Sequence, residues 1–167
     1  MYQQDSMTRR EKHITDENEI KSILDTAKII HVAMSDNNIP YLVPMNYGYV
    51  MNEGRISFYL HGAPKGKKLD ILRENPRVFI SLECDTELFE GDIACRYGMS
   101  YRSLLGGGVA HFVDDPEEKK KALSALMKAQ TGSDFEFSDR MAAVVCVIRI
   151  DLDEYTAKYR PAPTKKA

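Results

Sequence analysis

The spacing of apolar residues limits this fold more than any other feature of the sequence. Between Ile30 and Leu152 they recur mainly at every second position, and only two stretches of helical period interrupt them. Ile30, Val32 and Met34 alternate with His31, Ala33 and Ser35. Val78, Ile80, Leu82 and Cys84 share one face of a later run, and Val144, Cys146, Ile148 and Ile150 share one face of the last. Strands do not alternate regularly with helices, which argues against a doubly wound parallel sheet. An antiparallel barrel with helices at its ends is expected.

The runs have clear punctuation. Thr15 is placed to cap a first helix that carries Asp16, Glu17 and Glu19 at its positive end and an Ile20, Ile23, Leu24, Ala27 stripe. Asp36-Asn37-Asn38 turns the chain into a second strand from Ile39 to Val50, which Pro40 and Pro44 confine to a free edge or an interruption. Asn52-Glu53-Gly54 leads to a third strand, Arg55 to His61. A loop, Gly62 to Gly66, then opens a helix through Lys67, Leu69, Leu72 and Glu74 that Asn75-Pro76 ends. A strand from Val78 to Cys84, an acidic turn from Asp85 to Asp92 and a strand from about Ala94 to Val113 follow. Asp114 to Glu118 starts a helix with Ala122, Leu123, Leu126 and Met127 as its buried face, and Thr131-Gly132 closes it. A final strand covers Ala142 to Leu152. Six or seven strands and three short helices are expected, in one domain over residues 1–160 with tails at 1–8 and 161–167.

The 167 residues carry a net charge of −2. That balance gives no general affinity for nucleic acid or an anionic membrane, so any positive site must be local. No apolar run approaches a membrane span, and the opening MYQQDSMTRREKH has no apolar segment behind its basic residues. A cytoplasmic location without a leader is expected. Cys84, Cys95 and Cys146 are odd in number and lack CxxC spacing, and no histidine pair has ligand spacing, so reduced thiols and no metal are expected.

Four places carry candidate chemistry. Gly62 to Lys68 joins a strand end to a helix start and adds Lys65, Lys67 and Lys68. Such a turn binds phosphate through backbone N–H groups and ammonium charge, although the same residues also suit a solvated basic turn. The spacing is one residue short of a P-loop and lacks its Ser/Thr. His61 lies where strand meets loop and is a candidate proton donor or a hydrogen-bonded structural histidine. Val43, Pro44, Met45 and Asn46 form a proline-interrupted stretch whose freed backbone groups suit the edge of a planar ring. Arg102 and Ser103, just before Gly106-Gly107-Gly108, are candidates for an anionic group, while the glycines suggest a bulge or a close backbone approach.

Taken in order, these segments resemble the pyridoxamine 5′-phosphate oxidase-like flavoproteins, and most closely their nitroimidazole resistance branch. The matching stretches are Ile14-Thr15-Asp16, Leu42 to Gly48, Phe58 to Ala63 with Gly66-Lys67-Lys68, Leu72 to Val78, Cys95 to Ser103, and Asp114 to Glu118. The resemblance implies an FMN-binding split β-barrel, mainly β with short helices, antiparallel and Greek-key-like. It implies a homodimer with flavin at the subunit interface.

Carried across, Val43 to Asn46 would face the isoalloxazine ring. His61, Gly62 and Ala63 would line the ribityl and phosphate side, Lys67 and Lys68 would meet the phosphate, and Arg102 and Ser103 would reach the cofactor from a neighbouring strand. His61 matches the histidine proposed as catalytic in the nitroimidazole branch. The chain ends Tyr159-Arg160-Pro161 without the arginine–histidine segment of true pyridoxamine phosphate oxidases, which argues against that reaction. An FMN-dependent oxidoreductase acting with a small-molecule substrate or electron donor is therefore expected, with FAD as an alternative flavin. The rivals are a flavin storage or sensing protein without turnover, and a barrel holding haem or a deazaflavin.

Overall fold

In the computed structural model, which describes residues 10–163, two asparagines and a glutamate–glycine pair make the sharpest reversals. Asn37 and Asn38 both adopt left-handed backbone (φ 49° and 68°) and join β2 (Ile30–Asp36) to β3 (Ile39–Met45) as a two-residue hairpin. Glu53 and Gly54 (φ 49° and 73°) do the same between β4 (Gly48–Asn52) and β5 (Arg55–Gly62). The short β1 (His13–Ile14) and α1 (Glu17–Thr26) precede them. After them come α2 (Lys67–Glu74), β6 (Arg77–Phe89), β7 (Gly98–Val113), α3 (Pro116–Thr131), α4 (Asp139–Ala143) and β8 (Cys146–Arg160). Every ladder is antiparallel, in the order β3-β2-β6-β7-β8-β5-β4, with β1 added to β8. Among the described residues no ladder joins β3 to β4, so the barrel stays split there.

The expected second strand, Ile39 to Val50, is two strands. Tyr47 leaves the sheet and is wholly buried, its hydroxyl lying 2.9 and 3.1 Å from the carbonyl oxygens of Leu24 and Ala27 at the end of α1. Burial pushes that phenol far above its ordinary pKa. Gly48 follows because α3 passes directly over it: a Cβ there would stand 2.3 Å from the Leu126 amide nitrogen. The expected interruption therefore falls after Pro44, at Asn46-Tyr47.

Four further boundaries differ from expectation. Asp16, not Thr15, caps α1, because its carboxylate is the group placed to accept from the N–H groups of Asn18 (2.9 Å) and Glu19 (3.0 Å). The acidic stretch after Cys84 is largely strand. Asp85 (φ 53°) forms a bulge, then Glu87, Leu88 and Phe89 pair with Ser100, Met99 and Gly98, so the turn proper is 90–97 with a 3₁₀ turn at Ala94–Arg96. Ala142 belongs to α4, which Ser138 caps, and Val144 is 67% exposed rather than buried. β8 instead starts at Cys146 and continues to Arg160, because it serves β5, β7 and β1 in turn. The tally is thus eight strands and four helices among the described residues. The expected tails at 1–8 and 164–167 lie outside them.

The α1 stripe expected from the sequence, Ile20, Ile23, Leu24 and Ala27, is buried in one core cluster that also holds Ile30, Val32, Val78, Ile80, Leu82 and Ile148. A second cluster, Val113, Ala122, Leu123, Ala142 and Val147, lies under α3 and α4 on the opposite face of β5 and β8. The triple glycine marks a bulge between Gly107 and Gly108, as its sequence suggested.

These contacts separate two glycine substitutions. Gly48→Ala should lower stability by about 3 kcal/mol, because a backbone must move. Gly107→Ala, where a Cβ would meet only the Phe79 ring at 3.8 Å, should cost less than about 1 kcal/mol. Urea unfolding of the two variants checks the difference, and equal midpoints would refute the close approach of α3.

Candidate functional site

β5 ends at His61 and Gly62, and the chain turns through Ala63–Gly66 into α2. Gly62 faces Cys146 across the ladder. The position a Cβ of Gly62 would take is 2.9 Å from Lys68 Nζ and 3.3 Å from its Cε. A side chain at 62 would therefore displace the lysine, and glycine lets the ammonium fold back over the strand end. No side chain caps α2. The amides of Leu69 and Asp70 bond the Gly66 carbonyl, which leaves the N–H groups of Lys67 and Lys68 to point out of the helix end. Uncapped amides, helix dipole and one ammonium group converge there, an arrangement that suits an anion.

The two lysines diverge. Lys67 Nζ lies 3.3 Å from Asp36 and 5.0 Å over the Tyr41 ring, so this side chain ties the start of α2 to the β2–β3 hairpin. What Lys67 offers an anion is its backbone N–H. Among the described residues Lys65 and Lys68 have no ion-pair partner, and Ala63 and Lys65 are exposed.

β3 runs beside this turn as a free edge. Tyr41, Val43 and Met45 face inward and are half-buried, whereas Leu42, Pro44 and Asn46 are exposed. Pro40 and Pro44 sit opposite Ser35 and His31, at positions whose nitrogens face away from β2. The ladder therefore loses nothing to the prolines, and the open edge carries mostly carbonyl oxygens with the Leu42 N–H among them.

His61 lies on the other face of β5 from Gly62, opposite Val147 and in line with Ser57 and Tyr59. Its Nδ1 is buried with no hydrogen-bond partner among the described residues. A buried, unpaired imidazole nitrogen costs free energy unless something outside the chain meets it, which makes it the orphaned polar atom of this region.

Arg102 and Ser103 are elsewhere. They pair with Tyr159 and Lys158 on β8, thirteen positions along from the Cys146 that faces Gly62. That is on the order of 40 Å of strand. The guanidinium of Arg102 binds the Asp85 carboxylate and Ser22 Oγ (3.1 Å) and forms one wall of a cavity of about 730 Å³ with His13, Tyr101 and Tyr159. Within one chain Arg102 and Ser103 are therefore not brought together with the Gly62–Lys68 turn. The sequence marks Cys146 only as a reduced thiol on the apolar face of the last strand. Its place across from Gly62 depends on the β5–β8 register, which no local pattern encodes. Burial pushes this thiol up, while Lys119, Arg73 and Lys68 pull it down. Among the described residues no group of three or more His, Cys, Asp or Glu side chains could hold a metal, and no helix is long and apolar enough to cross a membrane.

The family model described as pyridoxamine 5′-phosphate oxidase matches residues 16–159. A candidate 5-nitroimidazole antibiotic resistance protein from Bacteroides thetaiotaomicron is 33% identical, with a TM-score of 0.75 over 88% of this chain and 86% of that one. The flavocytochrome Anf3 from Azotobacter vinelandii (19% identity, TM-score 0.75, 99% and 78% covered) shares the fold. So does the FAD and heme binding protein from Mycobacterium smegmatis (19% identity, TM-score 0.77, 93% and 77% covered). No curated protein matches the chain.

The thiols should differ in reactivity. Burial, with Asp85 beside it, pushes Cys84 up to about 11, so its neutral form is favoured by folding and that stabilisation fades only as pH rises past its unfolded value toward 11. At pH 8 iodoacetamide should alkylate the exposed Cys95 and spare Cys84 in the native protein, as mass spectrometry would show. Equal labelling of both would contradict the burial.

Proposed function

The chain belongs to the pyridoxamine 5′-phosphate oxidase family, and on that premise we propose that it is a cytoplasmic, FMN-binding homodimer that works as an oxidoreductase related to nitroimidazole reductases. One observation carries this reading: Lys68 folded over the bare backbone of Gly62 at the uncapped start of α2. A terminal phosphate dianion fits that cradle, held by the Lys68 ammonium and by the amides of Lys67 and Lys68. A nucleotide lacking the phosphate would leave the charge unmatched.

The rest of the ligand would run toward β3. Between Val43 and Asn46 the free edge presents the Pro44 carbonyl oxygen, while the backbone groups of Val43 and Met45 turn toward β2, and this open acceptor suits the polar rim of a flat heterocycle. Lys67, fixed on Asp36 and Tyr41, holds the turn at a set distance from that edge. His61, Gly62 and Ala63 line the passage between the two. When bound, the flavin supplies the electron-transfer chemistry; the protein binds, orients and delivers protons. His61, with its unpartnered Nδ1, is the group that would hold or give up a proton beside the bound ligand. Arg102 and Ser103 would reach the cofactor only from the second subunit.

Protein purified without added cofactor should be yellow. Lys68→Ala should weaken FMN binding about tenfold or more, the scale of one charge-assisted hydrogen bond. His61→Ala should keep the flavin but lower nitroimidazole reduction with a nicotinamide donor by about 100-fold. Flavin titration and steady-state assays measure both. A haem-type spectrum would replace the cofactor, and yellow wild-type protein inert with every donor would leave storage or sensing.

A further inference from the structure

Two lysines on different helices come to the same thiol with no carboxylate bound to either. Gly62 and Cys146 are cross-strand partners, so the Cβ of Cys146 and the position a Cβ of Gly62 would take share one face, about 5 Å apart. Lys68 Nζ stands 2.9 Å from that Gly62 position, which sets the ammonium group of α2 beside the thiol. Lys119 comes from α3, on the other side of the sheet, and its Nζ donates to the Val145 carbonyl oxygen at 3.3 Å, one residue before Cys146. Arg73, later in α2, lies 5.3 Å over the Phe112 ring. Phe112 pairs with Ile148, two positions along β8 from Cys146 and on the same face. All three cations pull on the thiol, and the acid that opposes them is Asp114.

The charges here do not balance. Arg73 is paired with Asp70 at 2.9 Å, but among the described residues neither Lys68 nor Lys119 has an ion-pair partner, and both are half-buried. A half-buried ammonium gives up part of its hydration, and a carbonyl oxygen brings no charge to offset the loss. The acids nearest Lys119 in sequence are engaged elsewhere. Asp115 caps α3 through the Glu118 N–H, Glu117 holds Lys120, and Glu118 holds Arg149. Asp114 is exposed and pairs with neither lysine. A single phosphate in the cradle is met by Lys68 and by the amides at the start of α2. That leaves Lys119 uncompensated on the far side of Cys146.

We propose that Lys119, with Arg73 beside it, forms a second phosphate subsite next to the Gly62–Lys68 cradle, with Cys146 between the two. The group it takes is one phosphate beyond that of a flavin mononucleotide. Two carriers have this chemistry: the diphosphate of a flavin dinucleotide, and the 2′-phosphate of a nicotinamide donor. The identity of the carrier rests on the flavin reading; the second anion does not.

Affinity ratios measured on the full-length protein test it. If the flavin supplies the phosphate, FAD should bind about tenfold tighter than FMN. If the donor supplies it, the KM for NADPH should lie about tenfold below that for NADH, the scale of one charge-assisted hydrogen bond. Lys119→Gln should return that ratio to near one, Arg73→Gln should reduce it, and Lys119→Arg should keep it. Circular dichroism reports folding, and Arg73→Gln decides the matter if Lys119→Gln does not fold. Both ratios near one in the wild type, or a ratio that survives Lys119→Gln, would overturn the subsite. For protein that binds no flavin, inorganic pyrophosphate is the probe, read by calorimetry. Pyrophosphate binding that Lys119→Gln weakens about tenfold keeps the two-anion site and removes the flavin reading, whereas no binding, or binding indifferent to that substitution, overturns the site as well. Yellow protein with both ratios near one removes the second subsite alone.

Discussion

Tyr47 and Gly48 hold the architecture in place. The tyrosine hydroxyl serves two carbonyl oxygens at the end of α1, where the helix would otherwise leave acceptors buried and unmet. A net stabilisation of about 1 kcal/mol for such a bond is modest, but losing it would strand polar groups in the core, which costs more. The next residue lets α3 rest on the backbone of β4. Together they force the chain out of β3 and into β4 on the other side of the barrel. The split is the consequence, and the free edge of β3 follows from the split. Had the strand continued, the edge of β3 would not be left open.

Electrostatics then divides labour between adjacent lysines. Lys67 is spent on Asp36 and Tyr41, and this half-exposed contact is worth little as stability. Its value is geometric: it fixes how far the helix start lies from β3. Lys68 keeps its charge uncommitted and turns it over Gly62. An ammonium without a carboxylate partner, beside uncapped amides, retains the affinity that an ion pair would have neutralised.

Much of this was legible in the sequence. The period-two runs, the Asn-Asn and Glu-Gly reversals, the α1 stripe and the glycine bulge are local signals, and the structure bears each of them out. The failures share a cause. Val144 reads as a strand residue by pattern, yet Ser138 starts a helix that reaches Ala143 and displaces the strand start. Asp85 to Phe89 reads as a turn because it is acidic, but a two-stranded arm beyond the reach of β2 and β8 can be acidic because much of it meets water. Thr15 and Asp16 both fit an N-cap, and only geometry chooses between them. Residues that meet through register, such as Gly62 with Cys146, leave no trace in local spacing.

The placement of Arg102 is most informative for the same reason. A long strand with fixed register is a ruler: β8 holds Cys146 opposite Gly62 and Tyr159 opposite Arg102, and no side-chain rotation shortens the span between them. Residues on the two ends of such a strand lie too far apart within one chain to touch the same small molecule, so the Gly62–Lys68 cradle and the Arg102 cavity are separate features of this fold.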